Sequence, residues 1–300
     1  MGTGWNIKCA ASVFALVLVA VGIGCRVESP NGVSEQEIRQ SLFTDDLARQ
    51  VVIKGPVERV VSLAPSLTES IYAVGAGDKL VGVTAYCNYP ESATAIEKVG
   101  DTQTPNIERI VALKPDVVFV STASQLEAFM ATLEQQGIAI YVMDAKSIGE
   151  VIDDLRTLGR LLSSENSTEQ LATGLAERVA KVEAEPSSKP TVFIQISNEP
   201  LFTIGKDSYL TEAVAKAGGE SVTKDVPSGY PKLSKETASA MSPDVIILSD
   251  SEDNREPNVV FKSSPAVKNG RVYRINADII SRPGPRLVDA LEEIAGFLHK

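Results

Sequence analysis

One stretch of this chain occurs twice, without a gap, 128 residues apart. The first copy runs from Asn106-Ile107-Glu108-Arg109 through Leu113-Lys114-Pro115-Asp116 into Val117-Val118-Phe119-Val120. The second runs from Ser234-Lys235-Glu236-Thr237 through Met241-Ser242-Pro243-Asp244 into Val245-Ile246-Ile247-Leu248. Each copy reads as a capped short helix, a Pro-Asp break and a buried strand. Other segments echo at offsets that shrink in chain order, as loop deletions in one ancestral unit would produce. Tyr209 to Gly219 matches Ser66 to Ala76, and Gly229-Tyr230-Pro231 matches Asn88-Tyr89-Pro90. The duplication predicts two similar lobes, with one acidic residue at the same address in each.

Strand signals at Arg59–Leu63, Leu80–Val83, Val117–Val120 and Ile138–Met143 alternate with helical segments, which predicts parallel βαβ units and an α/β fold. Thr191–Ile196, Val245–Leu248 and Val272–Ile275 continue the pattern, and Ser281–Leu298 reads as a closing amphipathic helix. Between the halves, Val151, Ile152, Leu155, Leu158 and Leu162 recur at helical spacing in a stretch without proline. We therefore expect a first lobe over 44–146, one long backbone helix over 147–186, which Ser163 to Ser167 could interrupt, and a second lobe over 187–300. The ligand cleft is expected between the lobes, where facing loops commonly form pockets.

The leading residues have targeting character. Lys8 precedes an apolar run, Ala10 to Gly24, of about 15 residues, too short to span a bilayer comfortably. It ends in small residues before Cys25, which predicts a lipoprotein signal over 1–24, lipid on Cys25, and a polar tether over 25–43. A plain signal peptide or an anchor helix also fits, and each places the remainder outside the cytoplasm. Cys87 is then the one thiol left in the mature chain, so no internal disulfide is available. Trp5, the only tryptophan, leaves with the leader.

Inventory removes several chemistries. Net charge is −10, spread along the chain, which argues against nucleic acid as a partner. His299 is the only histidine. A Ser-His-Asp site, a Cys-His site or a multi-histidine zinc site therefore cannot be built. Gly205-Lys206 resembles the end of a phosphate loop, but Pro200 and Asp207 occupy positions that such a loop gives to Gly and Ser/Thr. No catalytic pair stands out, and neither a resident cofactor nor a metal is expected.

Three sets of residues carry the functional expectation. Asn106 and Ser234 are good N-caps, placing Glu108 and Glu236 in the first turn of their helices. A carboxylate there serves the helix dipole, and two exposed equivalents could also meet two basic sites on a partner. Tyr86, Tyr89, Phe202 and Tyr230 lie in loop sequences, where they suit either loop packing or a large, flat, partly apolar ligand. Asp278 and Arg282, beside Pro283-Gly284-Pro285, could bond polar groups of a ligand or each other.

Val60 through Glu69 (VVSLAPSLTE), Tyr86 to Pro90 (YCNYP), the NIERIVALKPDVV stretch, Phe202 to Ser208 (FTIGKDS) and SRPGPRLVD together resemble the helical-backbone metal-chelate receptors of bacterial import. That family includes siderophore, haem and cobalamin binders, and the likeness is to its periplasmic cobalamin (vitamin B12)-binding branch. It extends over about residues 44 to 300. The resemblance implies ligand contacts at Pro65, Tyr89, Phe202, Tyr230, Asp278 and Arg282, beside the loop residue Tyr86. Tyr230 and Thr102 stand where the enteric member of the branch has tryptophans, so one wall of the pocket is altered. Glu108 and Glu236 match acids that dock on arginines of two permease subunits. The implied protein is a monomeric, lipid-anchored receptor of the periplasm or cell envelope, not an enzyme. It would hand a corrinoid to an ABC importer with its permease dimer and ATPase subunits. A ferric-siderophore or haem receptor is the alternative, and a carboxylate-based envelope enzyme the remote one.

Overall fold

In the computed structural model, residues 40–121, 127–182 and 189–299 are described. The leader, Cys25 and most of the expected tether lie outside them. The first lobe comprises β1 (Gln40–Thr44), β2 (Gln50–Lys54), β3 (Val60–Ser62), α1 (Pro65–Ala73), β4 (Leu80–Val83), α2 (Ile107–Ala112), β5 (Val117–Ser121), α3 (Glu127–Gln135) and β6 (Ala139–Met143). Two helices follow, α4 (Ile148–Leu161) and α5 (Glu165–Val182). The second lobe comprises β7 (Thr191–Ser197), β8 (Phe202–Thr203), α6 (Tyr209–Lys216), β9 (Glu220–Ser221), α7 (Lys235–Ser239), β10 (Val245–Asp250), α8 (Pro265–Lys268), β11 (Val272–Asn276), α9 (Ala277–Ile280) and α10 (Leu287–Leu298).

The duplication is visible in the sheets. The first is wholly parallel, in the order β4-β3-β5-β6. In the second, β9, β7, β10 and β11 stand in the same order, also parallel, with β8 added antiparallel to β7. The repeated Pro-Asp has a structural task in both. Asp116 Oδ2 accepts from the backbone N–H groups of Glu58 and Arg59 at 2.8 Å, just before β3. Asp244 Oδ2 accepts from Thr191 N at 2.9 Å, at the start of β7. Each aspartate thus pins the neighbouring strand and satisfies its end.

Strands buried on both faces distribute side chains with period two. Val117 and Phe119 of β5, and Val245 and Ile247 of β10, enter one core that also holds Leu155, Leu175, Leu210 and Leu291. Val118 and Val120 face the α2–α3 side, and Ile246 and Leu248 face Phe261 and Ala238 on the other side of the second sheet. Core packing is therefore continuous from one lobe to the next, and the described residues of both lobes belong to a single compact unit.

Three sequence expectations need correction. The single backbone helix is two helices. The chain turns through Leu162–Ser164, Ser163 adopts a left-handed φ of 57°, and α5 folds back on α4. Arg156 on α4 reaches Glu169 on α5 at 3.1 Å, and a Cβ on Gly159 would lie 2.5 Å from Thr168 Oγ1, so glycine admits the close crossing. Apolar periodicity could not reveal this, because both helices bury a stripe on the same core. Secondly, the tether's final residues already form β1, which pairs antiparallel with β2. The hairpin is tied to β6 by Asp46 N to Val142 O (3.2 Å) and Tyr141 OH to Thr44 O (2.8 Å). Thirdly, the closing helix begins at Leu287 rather than Ser281, since Pro283 and Pro285 keep the preceding residues out of helix. No helix among the described residues is long and apolar enough to cross a membrane.

Candidate functional site

A cavity of about 630 Å³ lies between the lobes, lined by loops of both. Pro65 enters it from the first turn of α1, where its fixed φ suits the helix start. Tyr86 follows β4 on a loop anchored from below by Cys87. That thiol is 1% exposed and its sulfur accepts from Thr68 Oγ1 at 3.1 Å, so Cys87 supports the wall without lining it. Thr102 and Gln103 sit in a turn gathered by Asp101, whose carboxylate takes the N–H groups of Thr104 and Gln103 at 2.6 and 2.8 Å. These bonds, Thr104 foremost, hold the Asp101 carboxyl below the usual carboxylate range.

The second lobe builds its wall from two backbones in contact. Gly205 N donates to Gly229 O at 2.9 Å, and a Cβ on Gly205 would collide with Ser228 O. Only glycine allows that approach, which brings Ser208 and Tyr230 to the cavity together. Tyr230 is 41% exposed, yet its hydroxyl end is enclosed beside Tyr209 and Ser208. Burial raises its pKa, and burial raises that of Tyr209 further. The two rings meet edge to face at 6.5 Å. An apolar ring therefore faces the cleft while the polar tip is held in the wall.

Asp144 and Lys146 contribute charge to the cavity and neutralise each other at 2.6 Å. Behind them on α4, Asp154 is pushed up to about 8, first by desolvation and then by the charges of Asp46, Glu150, Asp153 and Asp144. Among the described residues, no group of three His, Cys, Asp or Glu side chains is placed to hold a metal ion.

Of the sequence-nominated residues, Pro65, Tyr86, Tyr230 and Arg282 line the cavity, and Tyr89, Phe202 and Asp278 stand outside its lining. Tyr89 lies in an adjoining shallow groove of about 300 Å³, its ring 4.1 Å beneath the Arg286 guanidinium. Tyr89 and Tyr230 thus share a place in the repeat but not in the cavity. Phe202 is half-buried in β8, bridged to Lys232. Asp278 bonds Arg282 at 2.6 Å and accepts from Asn88 Nδ2 at 2.9 Å. Glu108 and Glu236 are exposed at equivalent positions in α2 and α7, whose caps Asn106 and Ser234 accept from Arg109 N and Thr237 N. The backbone N–H of Glu236 and then the Ser234 hydroxyl hold the Glu236 carboxyl low.

Sequence reasoning missed Glu69, which is 4% exposed and receives both Arg282 and Arg286. This contact, Glu69 first, raises the pKa of Arg286. A signal existed: Glu69 is the one charged residue in α1, and Ser66, Leu67, Ser70 and Ile71 around it are buried.

Comparison with known proteins agrees with this architecture. The periplasmic binding protein family profile matches residues 60–279. The Vitamin B12-binding protein of Vibrio cholerae is 32% identical over 247 residues, covering 81% of this chain and 90% of that protein. Its crystal structure superposes with a TM-score of 0.69 over 81% of this chain and 97% of the other. An uncharacterized ABC transporter substrate-binding lipoprotein of Bacillus subtilis is 31% identical, covering 97% of this chain and 96% of that one. A possible iron-binding protein of Staphylococcus epidermidis is 28% identical, with a TM-score of 0.69 over 81% of this chain and 99% of its own. With two parallel-sheet lobes, a cavity between them and a match over most of its length, this chain belongs to the periplasmic binding protein family.

Proposed function

We propose that this protein captures a corrinoid, with cobalamin first among candidates, in the cavity between its lobes and delivers it to an ABC importer. The observation that carries this reading is the pairing of Tyr86 from one lobe and Tyr230 from the other on a single open cavity. Both rings are substantially exposed, at 58% and 41%. Burying such rings against a large, flat, partly apolar ligand would recover the hydrophobic stabilisation they forgo while exposed. The cationic groups of the wall are already engaged, Lys146 by Asp144 and Arg282 by Glu69 and Asp278. Little uncompensated positive charge is left for a polyanionic chelate. The V. cholerae relative, named for vitamin B12 binding, favours the same ligand.

Glu108 and Glu236 are assigned to docking on cationic groups of two membrane subunits, since both are exposed at matching helix starts and neither lines the cavity. Lipid on Cys25 would hold the receptor at the envelope, as a monomer that retains its ligand without turning it over. A haem or ferric-siderophore receptor is the second reading, favoured by the phenol oxygen of Tyr86 at the cavity, a ligand type that ferric iron accepts.

Calorimetric titration of the purified protein with cyanocobalamin, haem and a ferric siderophore tests the assignment. The expected result is saturable, one-to-one binding of cyanocobalamin, with the corrin chromophore recovered unchanged. Saturable binding of only an iron chelate would overturn the corrinoid assignment, and chemical conversion of any ligand would overturn the receptor reading.

A further inference from the structure

A polar seam joins the two lobes along one side of the cavity, and Glu69 is its centre. Its side chain is 3% exposed. Glu69 Oε1 accepts from Arg282 Nη1 and Arg286 Nη2, each at 2.7 Å, and Oε2 accepts from Arg286 Nε at 2.8 Å. Glu69 belongs to the first lobe, and both arginines belong to the segment between α9 and α10 of the second. Asn88 of the first lobe adds two further links. Its Oδ1 accepts from Arg282 Nη1 at 2.8 Å, and its Nδ2 donates to Asp278 at 2.9 Å. The Arg282 fork is therefore held by Glu69, Asn88 and Asp278 while the same side chain forms part of the cavity wall.

A buried carboxylate between guanidiniums adds little net stability compared with apolar packing. Removing one member, by contrast, leaves a buried charge without its partner. Such a group selects one arrangement over its neighbours. The charges enclosed here also escape most of the screening that weakens surface pairs.

We infer that Glu69 is the positioning residue of the cleft. It stands outside the cavity lining, holds the Arg282 guanidinium in the wall, and locks the 278–286 segment of the second lobe onto α1 and the Tyr86–Tyr89 loop. The cleft is thereby preformed before ligand arrives. The assignment of Arg282 to ligand contact rests on the function proposed above, whereas the locking of the lobes does not.

The test compares wild type with Glu69→Gln, which keeps the side-chain shape, and Glu69→Asp, which keeps the charge on a shorter stem. Two quantities are read: amide hydrogen exchange and cyanocobalamin affinity. Glu69→Gln should speed exchange in 86–90 and 281–287 while leaving the strands 117–121 and 245–250 protected. If loss of the seam leaves about one molecule in ten binding-competent, apparent affinity falls about tenfold. Glu69→Asp should recover part of that loss. Wild-type affinity with unchanged exchange at both segments would overturn the inference. So would faster exchange throughout the protein with affinity preserved, which marks a merely structural residue. Failure of wild type itself to bind cyanocobalamin would refute the ligand assignment, and the exchange comparison would still decide whether Glu69 locks the lobes.

Discussion

Replacing Asp154 by asparagine should stabilise this protein at neutral and alkaline pH and leave it unchanged in acid. Asp154 lies mostly buried on α4, and its carboxyl is pushed from an ordinary 3.8 up to about 8. Desolvation is the main cause, reinforced by Asp46, Glu150, Asp153 and Asp144. Between these two values the folded protein keeps a proton that the unfolded chain releases. Stability from this group is therefore complete below about pH 4, declines as pH rises, and levels off above about pH 8. A tenfold difference in proton affinity between folded and unfolded chains corresponds to about 1.36 kcal/mol, so the part of the displacement that lies below pH 7 is worth about 4 kcal/mol there. Solvent at the exposed edge of the side chain screens part of that, leaving about 2 kcal/mol. An asparagine amide cannot ionise and would escape this loss. Thermal melts of wild type and Asp154→Asn across pH 4 to 8.5 are the assay. The variant should gain roughly 4–8 °C in Tm at pH 8, and the gain should vanish near pH 4. Asp46, whose carboxyl is also raised chiefly by burial, should leave both proteins a residual slope of the same sign. A gain that is absent at pH 8, or equal at every pH, would refute the reasoning.

Other expectations follow from the cavity and the repeat. Tyr86→Ala and Tyr230→Ala should each weaken cyanocobalamin binding by about 1–3 kcal/mol, measured by calorimetry, because each removes an exposed ring from one wall. Gly205→Ala places a methyl in the path of Ser228 O. It should cost roughly 1–3 kcal/mol in urea unfolding and weaken ligand binding through displacement of Tyr230; unaltered affinity would show that the two loops move independently of the site. Glu108→Ala combined with Glu236→Ala should leave ligand affinity nearly intact and abolish uptake in a transport assay. Loss of binding in that double variant would place these acids in the pocket.

The two-lobed α/β architecture was legible because its signals are local and repeated. Uninterrupted apolar strands such as Val117–Val120 and Val245–Leu248 mark parallel sheets, and Asn106 and Ser234 mark helix starts. Apolar spacing alone did not separate α4 from α5, since two helices packed on one core have the spacing of a single one; only the polar Ser163 to Ser167 segment pointed to the turn. The repeat also nominated Tyr89 by its equivalence to Tyr230, although Arg286 covers its ring in a neighbouring groove.

Chain order, duplication and the single histidine, His299, are properties of the sequence, and they determined fold class and the exclusion of Ser-His-Asp, Cys-His and multi-histidine zinc sites without reference to space. The site is a different kind of property. Glu69 and Arg282 are 213 residues apart, and nothing in either neighbourhood states that one carboxylate will meet two guanidiniums across a cleft. That meeting depends on how two sheets share one core and how close their loops then come. Local propensities decide which elements form, whereas burial and the partnering of buried charge decide which side chains face one another.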